Sequence, residues 1–293
     1  MVGWYKIEGL ILSKIGVFSY FYFGLLDYVP FLLFFSLCLI AVYIFNHSKY
    51  AKKRKSGVAI GCKKISFIVY GTVFFAWFGV GLYDLIVHFY IQNLIPNEVE
   101  ERLAFLTKPE IVAIEGFIRY SFSLFIPLFF LIKNRDIQSM VGLRSRYFNA
   151  KKSFLLYIFY LSALLISLYL ISKISILPGS EKYSSLVSVF QDMRTKFPMF
   201  AYAYMTLMVI LISFSKELLF RGFIYSCLRE NIGIKYAFIL QCLLFSLYHQ
   251  NSDWLIFLIT GIFLTLLYEQ AKSIYLPIIV HGSLLFLTII LNI

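Results

Sequence analysis

Eight long apolar runs dominate this chain of 293 residues, and they constrain its fold more than any other feature. A helix that crosses the hydrocarbon core of a bilayer needs about 20 mostly apolar residues. The runs are Tyr28–Phe45, Ile65–Tyr90, Ile111–Ile132, Phe154–Ile171, Met199–Phe214, Tyr236–His249, Trp254–Tyr268 and Tyr275–Leu291. Only 14% of the residues are charged, against about a quarter in soluble domains. The sequence therefore predicts an all-α, polytopic transmembrane bundle of about eight helices.

A further apolar stretch, Ile7–Leu26, is interrupted by Glu8 and Lys14. We interpret it as a segment that lies at the membrane interface, with a spanning helix as the alternative. Lys6 is its only early basic residue and no small-residue cleavage site follows, so we do not expect a cleavable signal peptide.

The formal net charge of +12 is concentrated in short loops between the apolar runs. The loops at 47–64 and Lys133–Lys152 are rich in lysine and arginine, whereas Ile91–Glu110 carries four glutamates. Basic loops favour the cytoplasmic side of a membrane, so we place the first two there, together with Arg229–Lys235 and Glu269–Lys272. Because the basic residues do not form one folded face, we do not expect a nucleic-acid partner. The Lys-, Ile- and Phe-rich composition leads us to expect a bacterial cell membrane.

The four cysteines are scattered and form no C-x-x-C pair. They are Cys38, Cys62, Cys227 and Cys242, and three of them lie in or beside apolar runs. We interpret them as buried thiols rather than as disulfides or metal ligands.

Three acid–base pairs lie at i, i+4 spacing within or beside apolar runs. They are Asp84–His88, Glu115–Arg119 and Glu217–Arg221. A charge at the centre of a membrane helix costs about 2.5–3.5 kcal/mol, so each needs a partner or a function. Residues four apart share a helix face and can neutralise each other. For the first two pairs we favour structural pairing, and the alternative is an ion or proton path in a channel or transporter.

The third pair lies near two histidines on later helices, His249 and His281. One carboxylate and two imidazoles are the groups that activate water, either as bases or as ligands of a divalent metal. The alternative is that both histidines are core residues bonded to backbone or hydroxyl groups. No H-E-x-x-H motif is present, which excludes the common zinc-protease signature. Ser213 and Lys216 are three residues apart, and they are a minor candidate for a serine–lysine dyad.

Three short motifs occur in a fixed order in the last third of the chain. They are Glu217-Leu-Leu-Phe-Arg221-Gly222, then Phe245 through His249, then Leu276-Pro277 through His281. Over about Tyr202–Leu291 this pattern resembles the CPBP intramembrane proteases, which include CAAX proteases, bacteriocin-processing enzymes and Abi proteins. We therefore divide the chain into N-terminal membrane helices without a recognisable motif, at 1–198, and a CPBP-like core at 199–293.

The resemblance implies an intramembrane endopeptidase that acts on a small hydrophobic, lipidated or leader peptide. It implies that Glu217, Arg221, His249 and His281 form the site. It also implies that Glu217, His249 and His281 are possible ligands of a divalent metal such as zinc.

Two positions depart from the family pattern. Lys216 occupies the place of the first glutamate, which is assigned as the base, and Leu285 that of an asparagine thought to hold the oxyanion. These departures favour the alternative of a non-proteolytic member, an immunity factor or a membrane regulator that binds a protein partner. Since consecutive helical residues diverge by about 100°, we expect the Lys216 ammonium to turn away from the cavity toward the headgroups.

Overall fold

The structure is a computed structural model, and it describes residues 32–37, 40, 67–75, 78–79, 82–83, 109–133, 135–143, 150–173, 190–249 and 254–291. Helices account for all the regular secondary structure in these ranges, which confirms the predicted all-α bundle. The helices are α1 Pro109–Lys133, α2 Arg135–Met140, α3 Ala150–Lys173, α4 Pro198–Glu217, a π-helix Leu218–Tyr225, α5 Ser226–Ile232, α6 Ile234–His249, α7 Trp254–Ala271 and α8 Tyr275–Leu291. The stretches 32–37, 67–75 and 190–196 are helical as well.

Six of the predicted runs correspond to helices α1, α3, α4, α6, α7 and α8. The first two runs are described only in part, and those parts are helical, while Ile7–Leu26 lies outside the described residues. Three segments of the described chain are long and apolar enough to cross a bilayer: Ala113–Lys133, Ala150–Leu170 and Trp254–Ala271. The chain is a membrane protein.

Two segments that we predicted as loops are partly helical. Helix α2 lies inside the basic loop Lys133–Lys152, and the Gln138 amide donates a hydrogen bond of 2.8 Å to the Leu131 carbonyl. Arg229 and Glu269 belong to α5 and α7, and Nη1 of Arg229 lies 2.9 Å from Oε1 of Glu269. This ion pair links α5 to the end of α7. Arg229 and Glu269 therefore belong to helices, although we placed them in loops.

Helix α4 lies between α1 and α8, and α3 packs against α7 and α8. One apolar cluster joins α1, α4 and α8 through Ala113, Met205 and Leu285. Another joins α3, α7 and α8 through Tyr160, Leu264 and Val280. The burial of apolar side chains fixes α4, α7 and α8 relative to one another. Of the predicted site residues, α4 carries Glu217 and α8 carries His281.

The segment after α2 packs against the π-helix. Val141 is completely buried, and its Cγ1 lies 2.9 Å from the position that a Cβ would take at Gly222. Gly142 has a φ of 77°, and a Cβ there would lie 3.2 Å from the Lys272 carbonyl oxygen. Only glycine tolerates both the left-handed backbone and the close approach.

The two cysteines in the described part of the chain, Cys227 and Cys242, are buried free thiols. This confirms the prediction for these two residues. Cys38 and Cys62 lie outside the described residues.

Candidate active site

The candidate site lies where α4 passes into the π-helix. Glu217 is the last residue of α4, and Arg221 lies in the middle of the π-helix, which is buried along its whole length. A π-helix is rare and is frequently found at functional sites. Arg221 lies four residues after Glu217 and bonds to it from within this π-helix.

Glu217 is bound by two donors from two helices. Its Oε1 accepts a hydrogen bond of 2.9 Å from Nη1 of Arg221 and one of 2.7 Å from Nδ1 of His281 on α8. Glu217 and Arg221 are both 0% exposed. A buried carboxylate is tolerated only when it is paired and hydrogen-bonded, so this cluster stays together as a unit.

Arg221 also contacts two other helices. Its Nη2 donates a hydrogen bond of 3.2 Å to the Gly261 carbonyl on α7, and its guanidinium lies 4.3 Å from the centre of the Phe245 ring on α6. A cation over an aromatic face is stabilised by the ring quadrupole. Arg221 therefore joins the π-helix to α6 and α7 and holds the Glu217 carboxylate in place.

His249 on α6 is fixed by a backbone carbonyl and by an aromatic ring. Its Nδ1 lies 2.7 Å from the Phe245 carbonyl oxygen, and its ring stacks on Phe257 with 3.8 Å between the centroids. Because a carbonyl oxygen can only accept, Nδ1 carries the hydrogen. In the neutral ring, Nε2 then has the lone pair.

That lone pair faces Lys216. The Lys216 Nζ lies 2.7 Å from Nε2 of His249, at a hydrogen-bonding distance. The ammonium therefore donates to His249, and our prediction that it turns toward the headgroups is wrong. The divergence of consecutive residues does occur, since Glu217 contacts α8 and Lys216 contacts α6. Lysine's flexible four-carbon stem reaches an acceptor within the bundle, so the ammonium does not need the interface.

His281 differs from His249 in what its second nitrogen contacts. A carboxylate oxygen can only accept, so Nδ1 of His281 donates to Glu217 and Nε2 has the lone pair. Among the described residues, no hydrogen bond involves this Nε2. The Arg221 guanidinium is bonded to the same oxygen of Glu217 as this ring. His281 is therefore an oriented imidazole with an available lone pair beside a cation.

The four site residues predicted from the motifs are thus brought together by α4, the π-helix, α6 and α8. They are Glu217, Arg221, His249 and His281, and all four are at most 6% exposed. Lys216, which we excluded from the cavity, belongs to the same cluster and is half-buried.

The possible metal ligands Glu217, His249 and His281 do not fit a divalent cation in this arrangement. Nε2 of His249 accepts from the Lys216 ammonium, and Oε1 of Glu217 is shared by Arg221 and His281. Two cationic side chains beside the donor atoms oppose the binding of a further cation. Among the described residues, no three His, Cys, Asp or Glu side chains form a group that could hold a metal ion.

The second departure from the motif lies in an apolar environment. Leu285 is 5% exposed and belongs to the cluster of α1, α4 and α8, one turn of α8 beyond His281. It supplies no hydrogen bond to a developing negative charge.

The serine–lysine alternative is not formed. The Ser213 hydroxyl donates to the Val209 carbonyl, while Lys216 points to His249. Of the other two acid–base pairs, Glu115 and Arg119 do contact each other at 2.6 Å, whereas Asp84 and His88 lie outside the described residues.

Sequence reasoning missed Phe257, which stacks on His249. It is one of 32 phenylalanines in the chain, and no spacing marks it as part of a site. The role of Lys216 was missed because a side-chain direction, unlike a position on a helix, depends on the neighbouring helix.

Residues 198–287 match the family model described as "Rce1-like: Type II CAAX prenyl endopeptidase Rce1-like". The match confirms the resemblance drawn from the motifs for this segment. No curated protein and no solved structure matches the chain significantly.

Proposed function

We propose, on the premise that this C-terminal segment is CAAX-protease-like, that the protein is an intramembrane endopeptidase. In its site, His281 acts as the base and Lys216 stabilises the oxyanion. The substrate is a small hydrophobic peptide, lipidated or with a leader, in a bacterial cell membrane. The observation that carries the proposal is the bond of 2.7 Å between Glu217 Oε1 and His281 Nδ1.

The base in this proposal is His281. Glu217 holds the ring in the tautomer with its lone pair on Nε2, which is the role a carboxylate plays toward histidine in catalytic triads. Nε2 takes a proton from a water molecule as its oxygen attacks the scissile carbonyl, and the imidazolium then gives the proton to the leaving amine. Arg221 balances the charge of the carboxylate at 2.9 Å.

The stabiliser of the oxyanion is Lys216. An ammonium in a low-dielectric site interacts strongly with developing negative charge and needs no reorganisation when it is already oriented. Nε2 of His249 orients it here, at 2.7 Å. The two departures from the family motif compensate each other in this scheme, because the cation at position 216 supplies what Leu285 cannot.

The test is peptide hydrolysis by the purified full chain with a set of hydrophobic and lipidated peptides. We expect His281→Gln to abolish turnover and Lys216→Met to lower kcat by about 10²–10³-fold. Lys133→Met is the matched control and leaves turnover unchanged, because Lys133 lies at the end of α1, over the Phe129 ring at 4.4 Å. Wild-type protein that hydrolyses no peptide would contradict the proposal.

A second candidate is a non-hydrolysing protein that binds a peptide or a membrane-protein partner, as an immunity factor or regulator. Two observations favour this candidate. Nε2 of His249 already accepts a hydrogen bond from Lys216, and Leu285 lies in apolar surroundings. It predicts an inactive wild-type chain that gains hydrolysis in the double variant Lys216→Glu/Leu285→Asn. The endopeptidase proposal predicts instead an active wild type that the same double variant does not improve.

A further inference from the structure

A groove opens on the side of the bundle where α3, α4 and α8 meet. Its volume is about 420 Å³, and it is lined by Tyr157, Ile210, Ser213, Ile279, Gly282 and Ser283. Ile210 and Ile279 are 56% and 52% exposed, so its rim belongs to the outer surface of the helices. Ser213 lies one turn before Glu217, and Gly282 follows His281. The groove therefore adjoins the candidate site from the lipid side.

The groove contains a pair of hydroxyl groups near the middle of α8. The Tyr157 hydroxyl donates a hydrogen bond of 3.1 Å to Oγ of Ser283. Ser283 lies at the middle of α8, about 12 Å from either end of that helix. A groove that opens toward lipid offers a hydroxyl few hydrogen-bond partners other than protein groups.

The hydrogen of the Ser283 hydroxyl is left to donate. Within the described part of the chain, Ser283 takes part in no hydrogen bond except the one it accepts from Tyr157. On the same helix, by contrast, the Thr288 hydroxyl donates to the Leu284 carbonyl at 2.9 Å. A hydroxyl hydrogen without an acceptor in hydrocarbon costs free energy. We therefore expect an occupant of the groove to supply a hydrogen-bond acceptor for Ser283.

We infer that this groove binds an extended apolar peptide segment that enters from the bilayer, with one of its backbone carbonyls accepting from Ser283. A peptide offers an acceptor at every residue, whereas a lipid acyl chain offers none along its length. The inference rests on the proposed function, because that function makes the occupant a peptide. What is new is the place where the apolar part of the peptide binds.

The approach of α4 to α8 makes the floor of the groove. A Cβ at Gly282 would lie 3.2 Å from Oγ of Ser213, so the small residues let the helices meet closely. The floor of the groove is thus made by residues one turn before Glu217 and next to His281.

The experiment uses the full chain in phosphatidylcholine nanodiscs and a short synthetic Leu/Ala peptide that carries one photoleucine. Cross-linked residues are identified by mass spectrometry, and a photoactivatable palmitate is the competitor. We expect the peptide to label the groove segments of α4 and α8. Ser283→Ala should weaken peptide binding by about three- to tenfold, and Thr288→Val, the matched control, should leave it unchanged.

A second variant tests the groove without altering the hydroxyl pair. Ile279→Trp fills the groove from its exposed rim and should abolish labelling, whereas Ile239→Trp, at a similarly exposed position of α6, should not. The inference is overturned if palmitate displaces the peptide or if Ser283→Ala labels like the wild type. All measurements are repeated with His281→Gln. Loss of hydrolysis in this variant tests the proposed function, whereas loss of labelling tests the groove.

Discussion

Two glutamate–arginine pairs with the same i, i+4 spacing lie in different surroundings in this protein. In Glu115–Arg119 the side chains are 31% and 38% exposed, and the two contacting atoms lie 2.6 Å apart. In Glu217–Arg221 both side chains are 0% exposed, at 2.9 Å. The shorter contact belongs to the more exposed pair, so distance alone does not indicate the importance of a pair.

The difference lies in what surrounds each pair. Glu217 and Arg221 contact His281, the Gly261 carbonyl and the Phe245 ring, which belong to three other helices. A half-exposed pair gains little, whereas a buried pair that loses one partner leaves a desolvated charge. Three substitutions measure this contrast.

The largest effect is expected for Arg221→Ala. It leaves the Glu217 carboxylate buried with His281 alone, and we expect the free energy of unfolding to fall by about 3–5 kcal/mol. Unfolding in a mixed-micelle denaturant titration measures it. The double variant Glu217→Gln/Arg221→Met should recover part of the loss, since it removes both charges. A loss below about 1 kcal/mol for Arg221→Ala would contradict the contrast, because that is the range of exposed pairs.

A smaller loss is expected for His281→Leu. It removes the donor from α8 but keeps the arginine, so we expect about 1–3 kcal/mol. His281→Asn is the matched control, because its amide can still donate near the position of Nδ1. If both variants unfold alike, the bond from α8 does not stabilise Glu217.

The smallest effect is expected for Arg119→Ala. Glu115 lies near the start of the span that begins at Ala113, where water can reach the carboxylate. We expect about 0–1 kcal/mol in the same titration. A loss as large as that of Arg221→Ala would show that exposed fraction does not separate the two pairs, and the comparison would fail.

The sequence predicted the helices more fully than it predicted side-chain directions. The bounds of α8 coincide with the apolar run Tyr275–Leu291, because one bilayer thickness fixes the length of a run. The grouping of Glu217 with the two histidines followed from motif order. The Lys216 contact did not, because a flexible side chain goes to whichever acceptor the folded bundle presents, and sequence spacing does not contain that information.

Helix α2 and the turn after it were not predicted for a related reason. The segment Arg135–Met140 is polar and short, so it has no apolar run that marks it. Its position depends on one hydrogen bond, from Gln138 to Leu131, and on the fit of Val141 against Gly222. The hydrogen bond joins residues seven positions apart across the break between two helices, and the fit joins residues far apart in the chain.

The fit of Val141 against Gly222 has a consequence for evolution and for protein engineering. The segment that matches the family model begins at residue 198. Val141 lies more than fifty positions earlier, yet it fills the space beside Gly222 of the first motif. The match to the family model therefore begins after a residue that packs against its motif. An excised or transplanted 198–287 segment would carry the motif and lack its counterpart. In such a chimera, Val141 and Gly222 would have to be transferred together.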